Sequence, residues 1–144
     1  MSVQTLLTPD DAEEFVRSSR TTWKVSATPS LQRHVLAMCD GWEACKLAFL
    51  VEDADTTACQ ARLLEVGGST ELWIFARDIA GADVEALHAR AQAQCFEGLD
   101  GPRRAEFDAL LAAYRAQRQQ QVAGHQAEVG VADDAGVAPD APAA

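Results

Sequence analysis

Four cysteines and three histidines are the residues of this chain best equipped for chemistry. Cys39, Cys45, Cys59 and Cys95 form no CxxC pair, and no histidine stands where a zinc-finger partner would, so the spacing does not call for a structural metal. A reactive thiolate needs a neighbouring cation or a helix N-terminus to lower its pKa. Cys39 falls late in an expected helix and Cys95 three residues before Gly98, so both read as small apolar core residues and no nucleophile is assigned. His34 sits beside Val35 and His88 beside Leu87. Imidazole titrates near neutral pH, so either could serve as a general base or ligand if it met a carboxylate or thiol in space. Neither carries a partner at a fixed motif spacing, and the expectation is a helix residue with one polar edge in water. His125 falls in the C-terminal tail and is discounted.

Gly67-Gly68-Ser69-Thr70 follows an apolar run but is read as lacking the further glycine, the lysine and the following helix of a phosphate-cradling loop. Two glycines between apolar runs suit a hairpin turn instead. No catalytic residue, cofactor site or metal site is therefore expected.

The acids and tryptophans suggest binding rather than catalysis. Asp10, Asp11, Glu13 and Glu14 open the first expected helix, and Glu52, Asp53 and Asp55 share one turn. Their ordinary role is to stabilise a helix dipole and keep the chain dissolved; their sharper role is an acidic surface for a basic partner. Trp23, Trp42 and Trp73 are the largest side chains, of the type that anchors binding hot spots. Read as part of a strand, Trp73 and Phe75 share one face while Leu72 and Ile74 share the other. Both faces of that strand are apolar, so either helices cover both sides or one side, with Trp73 and Phe75 the candidates, is a docking surface for another chain.

The elements that must position these residues follow from capping signals and periodicity. Thr8-Pro9 with Asp10 and Asp11 predicts a helix over 9–19 with Ala12, Phe15, Val16 and Ser19 on one face. Residues 21–26 read as a short strand or extended connector. Leu31, Val35, Met38 and Trp42 predict a second helix starting at Pro29 and stopping near Gly41. The runs 45–51, 58–66 and 71–77 are taken as a three-stranded antiparallel meander, the last two joined by the Gly67-Gly68 turn. Val84, Leu87, Ala91 and Cys95 predict a helix over 82–97. Phe107, Leu110, Leu111 and Tyr114 predict another after Pro102, the two forming an antiparallel hairpin. No internal repeat is visible at this level. The expected fold is thus α+β: two N-terminal helices, a meander and a C-terminal helical hairpin in one domain over 1–121, then a disordered acidic tail over 122–144 rich in Ala, Gly, Asp and Pro.

Charge narrows the function classes. The formal net charge is -10, and only four acids (Glu128, Asp133, Asp134, Asp140) lie beyond Gln121, so the domain itself is acidic. Direct nucleic-acid binding, which needs a basic stripe, is not expected. No apolar run suggests a membrane span or secretory leader, so a cytoplasmic protein is expected. The expected function is a non-enzymatic protein-interaction module of inhibitor, immunity, adaptor or assembly-chaperone type, of bacterial or phage origin. Its partner would be another protein with a basic surface, or a second copy of the chain. The competing expectations are a structural component of a larger, phage-like assembly, or a small enzyme in which a Cys, a His and an acid meet in a pocket.

Overall fold

Thr8 and Thr28 each cap a helix whose first residue is proline: α1 (Pro9–Arg17) and α2 (Pro29–Leu36). In each the threonine hydroxyl accepts the backbone N–H three residues on, and proline supplies a preset φ where no N–H is needed. A computed structural model describes residues 4–18 and 24–137, with side chains described as far as Gly124. The expected extended connector is reduced to β2 (Val25–Ser26), its first part and Ser19 lying outside the described residues.

The central meander does not form. Gly41 begins a helix instead of ending one: α3 (Gly41–Leu50) is opened by a reciprocal capping box, Asp40 accepting the Glu43 N–H at 2.8 Å and Glu43 accepting the Asp40 N–H at 3.0 Å. The runs taken for the second and third strands are α4 (Thr56–Val66), capped by Asp55, and α5 (Ser69–Asp78), where Glu71 accepts the Gly68 N–H. Ala, Leu, Gln, Arg and Glu dominate these segments, and they are better helix formers than strand formers. Gly67-Gly68 is accordingly a helix-to-helix junction. Among the described residues the sheet is a ladder of three two-residue strands, β1 (Gln4–Thr5), β2 and β3 (Val51–Glu52), paired parallel with Gln4 opposite Val25 and Val25 opposite Val51.

The last two helices are α6 (Val84–Ala93) and α7 (Gly101–Val137), which pack on each other. α6 ends earlier than the periodicity suggests because Cys95 and Phe96 take left-handed backbone, followed by Gly98 at φ +80°. α7 runs through most of the segment 122–144 for which disorder is expected. The missing apolar stripe speaks to packing against the stack and not to whether the backbone is helical. The remainder of that segment lies outside the described residues.

These elements stack as units that repeat every 28 positions. Asp55 and Asp83 both cap helices with nearly the same backbone, φ -77°, ψ 85° and φ -82°, ψ 87°. Two residues before each lies a left-handed position, Asp53 at φ 60° and Gly81 at φ 80°, and the turn is closed by Ala54 N–H to the Val51 carbonyl and Ala82 N–H to the Ile79 carbonyl, both 3.2 Å. Leu31, Cys59 and Leu87 are buried at equivalent positions, as are Val35, Leu63 and Ala91. The first helices of the units stack as α2 on α4 and α4 on α6, with α1 packed on α2, and the second helices as α3 on α5 and α5 on α7. Each unit leaves an apolar face that only its neighbour covers, so one continuous core runs the length of the stack.

Candidate functional site

The C-terminal turn of α1 and the outer face of α3 enclose a cleft of about 540 Å³. Val16, Trp42, Phe49 and Leu50 supply its apolar wall, and Asp40, Glu43, Arg17 and Lys46 its charges. Trp42 is 60% exposed, an unusual position for the largest apolar side chain type. Its place follows from the capping box: Asp40 and Glu43 start α3 at Gly41, which puts Trp42 in the first turn on the same side as Lys46 and Phe49.

Lys46 is committed to structure. Its ammonium donates to the carbonyl of Phe15 at 2.6 Å and to that of Ser18, carbonyls at the end of α1, and lies 4.9 Å from the centre of the Phe15 ring. This closes the floor of the cleft and complements the negative end of the helix dipole. Partial burial holds its pKa below the usual lysine value, with the Glu43 carboxylate opposing that shift. The charge left at the mouth is acidic. A shallower groove beside it is lined by Asp10, Glu13, Glu14 and Arg17, and Arg17 pairs with Glu13 at 3.7 Å.

The residues singled out by sequence are dispersed. Asp10 and Glu14 are exposed on α1; Asp11 completes a capping box with Thr8; Glu13 also lies 3.4 Å from the His34 ring. Glu52 is on β3, Asp53 holds the left-handed turn position and Asp55 caps α4, so these three belong to the turn between the first and second units, away from the α1 acids in sequence and in role. Trp73 and Phe75 are not on a strand: both lie in α5, 6% and 1% exposed. The Arg77 and Arg103 guanidinium groups cover the Trp73 ring at 4.5 and 5.3 Å. The open Trp73 and Phe75 face expected of a strand is therefore closed by the chain's own residues.

Each described imidazole faces a carboxylate, and Cys59 lies in the core within electrostatic reach of both Cys39 and Cys45. His88 is 8% exposed, bonds Asp108 through Nε2 at 2.7 Å and meets the rings of Phe96 and Phe107 edge-on. His34 faces Glu13. Cys45 points its Sγ at the Glu71 carbonyl. Burial pushes the Cys39, Cys45 and Cys59 thiols up to about 12, so they stay protonated at neutral pH. Cys95 is exposed. No group of three metal-ligating side chains occurs among the described residues.

Sequence reading missed the cleft because it placed Trp42 on the inner stripe of the second helix. The signal that would have found it is Asp40-x-x-Glu43, a helix start directly before the tryptophan. Among the described residues no helix is long and apolar enough to cross a membrane. No family model, curated protein or solved structure matches the chain.

Proposed function

We propose that this chain is a non-enzymatic protein-interaction module built on a short stack of helical units. The observation that carries the reading is the repetition itself: the turn Val51–Asp55 recurs as Ile79–Asp83 with the same hydrogen bond and the same cap geometry. Stacked units of this kind present extended, regularly spaced surfaces that suit recognition of another macromolecule. The acidic balance of the chain supports a partner with a basic surface. His34 and His88 each face a carboxylate rather than a thiol, which favours the binding reading over a small Cys/His enzyme.

The test is affinity capture with the tagged full chain in lysate of the source organism at low and high salt. One protein retained in stoichiometric amount and released by salt is the expected result. Retention of no protein at either salt would overturn the reading.

A further inference from the structure

We infer that the cleft between α1 and α3 receives an apolar anchor residue carried on a basic segment of a partner protein. The inference rests on the interaction reading above and gives it a place and a partner chemistry.

Three observations converge. The first is position in the stack: one unit further on, the corresponding flank of α5 is covered by α3, whereas among the described residues that flank of α3 meets the C-terminal turn of α1. The second is the wall itself. Trp42 stands largely open to solvent while Phe49 and Leu50 are only half-buried, giving an apolar recess of about 540 Å³, large enough for one or two bulky side chains. A tryptophan at the centre of such a recess, ringed by polar groups, has the composition of a binding hot spot.

The third observation is charge, and it selects the partner. Asp40 and Glu43 flank Trp42, and Asp10, Glu13 and Glu14 line the adjoining groove. Among the described residues these five carboxylates outnumber two cations, Arg17, 3.7 Å from Glu13, and Lys46, which donates to the Phe15 and Ser18 carbonyls. An anchor flanked by Lys or Arg would find its counter-charges at the rim; one flanked by Asp or Glu would be repelled. The site needs no new conformation, because the capping bonds that start α3 also fix the Trp42 backbone.

The test uses labelled synthetic helical peptides and the intact chain. Each peptide carries Leu, Phe or Trp anchors at helical spacing, flanked in one set by Lys and in a matched set by Glu. The Lys-flanked set is expected to bind at least tenfold more tightly than the Glu-flanked set and to weaken at least tenfold between 50 and 500 mM salt. Trp42→Ala should reduce that affinity at least tenfold, and Glu14→Lys with Asp10→Lys several-fold. In 1H–15N spectra the Trp42 indole and the Phe49 and Leu50 amides should shift on titration.

Equal binding of both sets, no binding of either, or affinity unchanged in Trp42→Ala overturns the inference. So does a dimer of the free chain that Trp42→Ala dissolves, since the cleft would then belong to a second copy. Lysate capture that survives Trp42→Ala overturns the cleft alone and leaves the interaction reading standing.

Discussion

The side-chain oxygen of Gln60 accepts the backbone N–H of Asp83 at 2.8 Å, tying one unit of the stack to the helix cap of the next. One unit earlier Gln32 makes the same bond to Asp55 at 2.9 Å and donates its Nε2 to the Ala27 carbonyl at 2.9 Å. At the third equivalent position stands His88, which turns to Asp108 of α7 instead. The ladder of amide bonds stops where the stack stops.

Replacing Gln60 with Leu leaves the Asp83 N–H without its acceptor in a partly buried turn. The expected loss is about 1–3 kcal/mol of unfolding free energy, measured by urea denaturation. Gln60→Glu keeps an acceptor oxygen and should cost less. Gln32→Leu should cost at least as much as Gln60→Leu, because Gln32 is buried and makes two such bonds.

The two left-handed turn positions give a matched pair. Asp53 holds φ 60° with a side chain, while Gly81 holds φ 80° with open space where a Cβ would go. Gly81→Ala therefore carries only the conformational penalty, about 1–2 kcal/mol. Asp53→Gly should leave stability unchanged or raise it by up to ~1 kcal/mol. A loss on Asp53→Gly would mean that its carboxylate has a role the turn geometry does not explain.

Gly41 is a packing requirement of another kind. A Cβ there would lie 2.7 Å from the Gly67 Cα, a backbone atom of the next unit, and 2.7 Å from Glu71 Oε1. Gly41→Ala should destabilise by about 1–3 kcal/mol and lower the midpoint of thermal unfolding. The same substitution at Gly101, where nothing lies within 4 Å, is the control and should cost nothing by contact.

The buried thiols set an alkaline limit. Cys39, Cys45 and Cys59 have folded pKa values raised by burial from 9.0 to about 12, so the folded state holds these protons more tightly than the unfolded state. Their contribution is complete below pH 9 and is lost as pH rises from 9 toward 12. Denaturation of the wild type across that window should show the decline, and Cys59→Ala should make it shallower. At pH 8, a thiol reagent should label Cys95 in the folded chain and the other three only on unfolding.

Local signals in this chain are carried by neighbouring residues and can be read without a structure. Thr8-Pro9 and Thr28-Pro29 mark helix starts because hydroxyl and N–H are three residues apart, and Leu87 with Ala91 or Phe107 with Leu111 mark buried faces because one turn separates them. The segment from Cys45 to Arg77 misleads because short apolar runs fit a strand or a helix equally well. The caps at Asp40, Asp55 and Gly68 decide in favour of helix. With them the meander, and the open face assigned to Trp73 and Phe75, disappear.

What the amino-acid sequence determined by itself is therefore local: an acidic chain, the starts of α1 and α2, the amphipathic faces of α6 and α7, and cysteines without metal-site spacing. The repeat, the cleft at Trp42 and the closure of Trp73 were decided only by the tertiary structure. The reason is that stacked units conserve burial rather than residue identity. Cys45 and Trp73 occupy equivalent buried positions, as do Leu31 and Cys59, because each must fill whatever volume its particular neighbours leave. That volume is defined by side chains a full unit away, beyond the reach of any short-range pattern.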